Sequence, residues 1–314
     1  MPGCALSVIV PARDAQATIA ATLDGLARQR VAGGYEVLVV DNGSRDETVE
    51  VALAAGVRVI ERKRGDGPGP ARNQGALEAR ASRLAFIDAD CVPVPGWLAA
   101  GQRCLEEAAV VQGQVAPPPG VDVGPFDRTL WVNRLTGLFE TANLFVTREA
   151  FTAAEGFGAG LEAPGEAPFG EDVLFGWRAV RAGHRAAYCP QALVHHHVFT
   201  RSASGYLAER RRLAMFPPLA RQVPELRETL LYRRCFMSKR GAYWDLGLVA
   251  ALAALTGRRW ALLGCVPYLA ELTRAALAQG RRSAPVTAAV LAAGDAIAAR
   301  ALVAGSLRAR NPVL

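Results

Sequence analysis

Short apolar, β-branched runs open this chain and alternate with longer stretches of mixed character. Five of these runs are LSVIVP (6–11), VLVVDN (37–42), VRVIE (57–61), LAFIDAD (84–90) and VVQGQV (110–115). Between the first four lie ATIAATLDGLARQR, DETVEVALAAG and ARNQGALEARA, which read as amphipathic helices. Strand, helix, strand in this rhythm predicts an α/β fold built on a parallel, doubly wound sheet. In such sheets ligands bind at the carboxyl ends of the strands. Three polar groups fall at those ends: Arg13–Asp14, Asp41–Asn42 and the pair Asp88 and Asp90.

From 116 to 170 the pattern loosens and Pro and Gly accumulate, as in APPPGVDVGP and GLEAPGEAPFG. Loops of this kind often cover a site. A helical pattern resumes at EDVLFGWRAVRAG (171–183) and is followed by the strand-like AAYCP and ALVHHH. Beyond about residue 241 the character changes again. LGLVAALAAL (246–255) and WALLGCVPYLAEL (260–272) are apolar runs separated by GRRW. A spanning helix needs about 20 apolar residues. Joining the two runs would bury Arg258 and Arg259, at about 2.5–3.5 kcal/mol each on the lenient scale. Flanking aromatics and arginines suit helices lying in the membrane interface; an ordinary helical subdomain burying Ala and Leu is the alternative. The expected division is a catalytic α/β domain over 1–200 and a basic, helical, membrane-interfacial region over 201–314.

Composition sharpens this division. Of 314 residues, 51% are hydrophobic, enough for a sizeable core and too many for disorder. The net charge of +7 is uneven: residues 1–198 hold 18 Lys+Arg against 23 Asp+Glu, net −5, and residues 199–314 hold 18 against 6, net +12. A basic tail points to nucleic acid or to an anionic membrane surface. The tail has long apolar runs and no recognisable RNA or DNA motif, so no nucleic-acid partner is expected. The six cysteines (4, 91, 104, 189, 235, 265) show neither zinc-site spacing nor a disulfide framework, and read as reduced thiols. The N-terminus runs straight into SVIV with no signal peptide visible. The expected location is cytoplasmic, peripheral at the inner face of the cell membrane.

Candidate chemistry comes next. Strand alternation puts Asp88 and Asp90 on one face, where two carboxylates repel unless a cation lies between them. They form either a solvated turn or a site for Mg2+ or Mn2+, both of which prefer hard oxygen ligands. In VVDNGSRDET, Ser44 or Asp46 can cap a helix. Asp41, at the strand exit, is placed to accept the imide N–H of a pyrimidine. GDGPGPARNQG (65–75) brings Arg72 and backbone amides to a helix start, suited to phosphate or base, or is a plain flexible loop. Glu171 and Asp172 open a helix, where the dipole favours acids by about 0.3–1 kcal/mol; one of them can instead serve as a general base. In the His195–His197 triplet, alternation groups Ala192, Val194 and His196 on one face and His195 and His197 on the other. A neutral imidazole there can ligate a metal.

Taken in order, SVIVPARD, VVDNGSRDET, GPARNQGA, FIDADCVP, GEDVLFGWRAVRAG and PQALVHHH resemble the family-2 glycosyltransferases of the GT-A fold, over roughly residues 6–200. The resemblance implies a nucleotide-diphosphate sugar donor, a divalent Mg2+ or Mn2+ and inversion at the anomeric carbon. Through it, Pro11, Ala12 and Arg13 correspond to the loop wrapping the nucleoside, and Asp41 to the carboxylate that reads the base. Arg72 matches a donor-site position. Asp88, Ala89 and Asp90 resemble the acid triplet around ribose and metal, with Asp90 the direct ligand. Asp172 resembles the catalytic base, with Glu171 beside it, and His196 a late metal-contacting histidine. Where the family often has Asn, this chain has Asp14 after Arg13. The Gln-x-x-Arg-Trp of processive synthases does not follow the base, which implies transfer of a single sugar to a glycan or lipid-linked acceptor. Two rivals remain. A nucleotidyltransferase would release pyrophosphate and has no use for a base placed like Asp172. A non-catalytic, membrane-tethered scaffold would not need intact Asp88, Asp90 and Asp172.

Overall fold

All five apolar runs become strands, and the helical stretches between the first four become helices. The computed structural model describes residues 4–63, 65–161 and 168–314, so residues 162–167 of the second Pro/Gly-rich loop lie outside the described residues. The chain divides into two compact units, residues 1–121 with 129–198, and residues 122–128 with 199–314. The first unit begins β1 (Leu6–Ala12), α1 (Ile19–Ala27), β2 (Tyr35–Asp41), α2 (Thr48–Ala54), β3 (Arg58–Glu61), α3 (Pro68–Glu78) and β4 (Arg83–Ile87). It continues with β5 (Cys91–Pro93), α4 (Trp97–Cys104), β6 (Val110–Ala116), β7 (Asn143–Thr147), α5 (Arg148–Ala153), α6 (Glu171–Arg181) and β8 (Ala186–His196).

Among the described residues, eight strands form one sheet in the order β3-β2-β1-β4-β7-β6-β8-β5. The parallel βαβ expectation describes β3, β2, β1 and β4. The other half is mixed: β7 runs antiparallel to β4 and β6, β8 parallel to β6, and the short edge strand β5 antiparallel to β8. The reason is connectivity. β7 follows an irregular excursion from β6 instead of a crossover helix, so it can return in the opposite direction. Strand alternation builds a core on each face. Val8, Val10 and Ile87 pack with Ile19, Leu23 and Trp97; Ile9, Val40 and Phe86 pack on the other side with Ala71, Ala150 and Phe175.

Two details fix the mixed half. Asn143 is fully buried, and its Nδ2 donates to Gln114 O (2.8 Å) and Ala192 O (2.7 Å) while its Oδ1 accepts from Trp97 Nε1 (2.8 Å). One amide thus ties β6, β7, β8 and α4 together. Beside it β8 bulges: Gly113 pairs with Cys189, yet the next residue, Gln114, pairs with Leu193. AAYCP and ALVHHH are therefore one strand with three residues looped out between its halves. The bulge brings Cys189 against the end of α4, where it is disulfide-bonded to Cys104, 85 residues away in sequence. This corrects the expectation of six reduced thiols. Spacing rules detect near neighbours, and these two meet only through the fold.

The second unit is helical: α7 (Ala203–Glu209), a 3-10 segment (Arg210–Met215), α8 (Phe216–Gln222), α9 (Leu226–Thr229) and α10 (Lys239–Leu255), then a second 3-10 segment (Arg259–Cys265), α11 (Val266–Leu277) and α12 (Ala284–Ala309). The apolar run 246–255 lies inside α10, and the run 260–272 is split between the second 3-10 segment and α11. The Ala-rich α12 escaped the sequence reading. It is the described helix long and apolar enough to cross a membrane, with 26 residues and an 18-residue window of mean hydropathy 1.7. Yet Asp295, buried in its middle, pairs with Arg240 of α10 (2.8 Å) and accepts from the Tyr268 hydroxyl of α11 (3.0 Å). α12 is therefore bonded into its own unit by a charged side chain.

Candidate active site

Because β2, β1 and β4 are parallel neighbours, their carboxyl ends share one edge. That edge gathers Asp41, the β1 exit Pro11–Ala12–Arg13, and residues 88–90. Ala12 pairs with Asp41, and the Asn42 N–H donates to Ala12 O at 2.8 Å. Asp41 is buried, and its carboxylate accepts from the N–H groups of Gly43 (3.1 Å) and Ser44 (3.2 Å) and from the Ser44 hydroxyl. A carboxylate offers about four acceptor positions, so capacity for a further donor remains. Arg13, half exposed, reaches Gly65 O at 3.4 Å, and Asn42 Nδ2 donates to Gly67 O at 2.9 Å. The Gly-rich loop ahead of α3 is thereby held against the ends of β1 and β2.

Asp88 and Asp90 do not share a strand face. β4 stops at Ile87 and residues 88–90 form a turn, so alternation no longer governs them. Asp88 accepts from Arg72 Nη2 at 2.7 Å. Asp90 instead faces His196, with Oδ2 3.7 Å from Nε2. Each carboxylate has its own cationic or potentially cationic neighbour, which relieves their mutual repulsion. Burial raises the Asp90 pKa, the Asp88 charge adds to this, and His196 opposes it.

Asp90, Cys91 and His196 offer ligand atoms within 4.8 Å of one another; Asp88 is not in that group. Burial and the two carboxylates push the Cys91 thiol well up, and it points at Asp90 Oδ1 at 3.6 Å. This leaves an oxygen and an imidazole nitrogen as the strong ligands, a set compatible with Mg2+ or Mn2+. His196 Nδ1 lies 2.6 Å from His197 O, which leaves Nε2 on the side facing Asp90. His195 turns to the other side, with Nδ1 3.2 Å from Pro117 O.

Arg72 links this edge to α6. It is buried on α3, with Nη1 3.7 Å from Glu171 Oε1 and the guanidinium over the Phe157 ring at 5.7 Å. Gly170, at φ 77°, turns the chain into α6 in a conformation that suits glycine, and Glu171 and Asp172 form the first turn. Asp172 Oδ1 accepts from the Val173 N–H at 2.9 Å. Its pKa is raised to about 7, by burial first and by the Glu171 charge, against the opposing pull of Arg72; Glu140 adds a smaller upward push. A carboxyl poised near neutrality at a helix start is suited to take a proton.

Glu140 was not among the sequence candidates. Burial pushes its pKa to about 7, and its Oε2 is buried without a hydrogen-bond partner. Its carbonyl accepts from Gln112 Nε2 (3.1 Å) and the Asn143 N–H (3.2 Å). The preceding Phe139 holds a left-handed φ of 53°, and its ring lies on Gly176 of α6, where a Cβ would come within 2.1 Å of it. The one signal in the sequence was a lone acid between GLF and TAN, without a charged neighbour on either side.

Known proteins share this framework. Residues 7–160 match the model described as glycosyl transferase family 2. A pre-mycofactocin glycosyltransferase of Mycobacterium tuberculosis is 27% identical over 182 residues, 52% of this chain and 37% of the relative. The aligned stretch thus spans well under two thirds of that relative's length. The structure of S. aureus TarS 1-349 in complex with UDP-GlcNAc superposes with a TM-score of 0.52 at 19% identity, over 98% of this chain and 92% of that fragment. The mannosyltransferase PcManGT from Pyrobaculum calidifontis, in complex with GDP-Man and Mn2+, gives 0.55 at 21% identity, over 97% of this chain and 86% of that one. At these identities the two structures speak to the fold. With the ordered motifs, the family match and the strand order in agreement, residues 7–160 form a domain of glycosyl transferase family 2 and the sheet has the GT-A fold.

Proposed function

We propose that this chain is an inverting, non-processive glycosyltransferase that moves one sugar from a nucleotide-diphosphate sugar to an acceptor hydroxyl. The observation that carries the reading is the Arg72 bridge. A single buried guanidinium contacts Asp88 on the donor edge and Glu171 beside Asp172 at the head of α6. Donor groups and base therefore belong to one cluster. Asp41 and the Pro11–Ala12–Arg13 exit hold the nucleoside. Asp172 takes the proton of the acceptor hydroxyl as its oxygen attacks from the face opposite the leaving diphosphate. Arg72 balances negative charge at the diphosphate. Asp90 and His196 would hold a divalent Mg2+ or Mn2+, which when bound supplies further charge neutralisation for the leaving group. The acceptor is a glycan or a lipid-linked hydroxyl, and the enzyme works at the cytoplasmic face of the cell membrane, held there peripherally by its basic second unit.

The test is a thermal-shift panel of UDP-, GDP- and dTDP-sugars with and without Mn2+. At least one donor is expected to raise Tm in a metal-dependent way, because a ligand of the native state raises apparent stability. Asp172→Asn should keep that shift and lose transfer. Release of pyrophosphate from a nucleotide substrate, or loss of donor binding together with transfer, would overturn the assignment.

A further inference from the structure

Exposed large apolar side chains are unevenly distributed. Among the described residues of the first unit they are Leu53, Leu77, Val121 and Trp131, well separated along the chain. In the second unit some lie on α11 and α12, and the densest group falls on one hairpin. Leu248, Val249, Leu252, Leu255, Trp260 and Leu263 each leave more than half of their surface in solvent.

Local packing explains the crowding. In α10, Leu248, Leu252 and Leu255 follow the i, i+4, i+7 spacing of a single stripe. Gly247 and Ala250 lie on the opposite side and are buried. The 3-10 segment Arg259–Cys265 folds back onto that side: a Cβ on Gly264 would sit 2.8 Å from Ala250 Cβ, and Cys265 Sγ is 3.4 Å from Gly247 O. The hairpin closes on itself through small residues and turns its large ones outward. At its tip Arg258 and Arg259 are exposed, between Leu255 and Trp260.

We infer that this hairpin is a membrane-embedding surface, lying in the plane of an anionic bilayer with Arg258 and Arg259 among the headgroups. It builds on the peripheral-membrane part of the reading above and is independent of the transfer chemistry. Three features select lipid as the occupant. Arginines and a tryptophan beside an apolar stripe match the interface between headgroup and acyl chain. The residues from 199 onward carry a net charge of +12, complementary to an anionic leaflet. The apolar run of α10 is half the length needed to span and ends in charge, so the hairpin can only lie flat. The more hydrophobic α12 is not the anchor, because Asp295 ties it into the unit.

The test is co-sedimentation of the full chain with phosphatidylcholine vesicles, with and without phosphatidylglycerol. The chain is expected to pellet with the phosphatidylglycerol vesicles and to be released by salt. The double variant R258E/R259E should bind them about tenfold or more weakly, from roughly 1 kcal/mol per arginine near the surface. The double variant L252E/L263E should stay in the supernatant. These side chains are exposed, so both variants should keep the wild-type Tm and the donor-induced shift, which separates this test from that of the transfer reaction. The inference fails if the wild-type chain ignores anionic vesicles, or if both variants pellet like the wild type. It fails equally if, without vesicles, L252E/L263E converts a dimer to a monomer, since the stripe would then be a contact between copies of this chain.

Discussion

An ordinary aspartate at the head of α6 would stay ionised across the physiological range. Asp172, raised to about 7, changes charge within it. In the proposed mechanism Asp172 acts in its deprotonated form, so kcat/KM should rise with pH through an ionisation near 7 and level off above it. Glu140 pushes the Asp172 pKa up, and Glu140→Gln removes that charge. The rising limb should then move to lower pH, and a pH–rate profile of the two proteins side by side checks the sign. Asp172 was legible in the sequence because its acid pair opens an amphipathic helix. Glu140 was not, because its place beside α6 depends on a left-handed Phe139 packed on Gly176, a contact between residues far apart in sequence. The acid pair 88 and 90 was legible as a pair. Its split between Arg72 and His196 was not, since alternation says nothing beyond the last strand residue.

Among elements, those with local signals were the readable ones. β1 to β4 and the helices between them follow from apolar periodicity, and so does the strand-end edge where Asp41 and residues 88–90 gather. β7 was hidden inside a stretch dominated by Pro and Gly, and with it the antiparallel half of the sheet. That half depends on Asn143, whose amide serves Gln114, Ala192 and Trp97. Asn143→Leu would leave two buried carbonyls and an indole N–H without this partner. At about 1–3 kcal/mol for an unsatisfied buried group, a loss of at least 2 kcal/mol is expected in urea unfolding. Gly176→Ala probes the neighbouring contact. Its Cβ cannot coexist with the Phe139 ring as placed, so overpacking should cost about 1–3 kcal/mol in urea unfolding.

For the whole molecule, the charge asymmetry was readable from counting alone, while the pairing of distant groups was not. Cys104 and Cys189 are the clearest case, and alkylation in denaturant without reductant should count four free thiols: Cys4, Cys91, Cys235 and Cys265. A count of six would mean that Cys104 and Cys189 are not bonded in the purified protein. The looped-out stretch of β8 has a consequence that extends beyond its own strand. Between Cys189 and Leu193 the strand carries three residues more than its partner β6, an odd number. Side chains change sides at every step, so an odd surplus delivers Ala192, Val194 and His196 to the side on which Cys189 packs. An even surplus would have delivered His195 and His197 there. The parity of one bulge thus chooses which imidazole meets Asp90, and descendants of this chain that gain or lose a single residue at Pro190–Gln191 must either absorb the change within the loop or exchange one histidine for another.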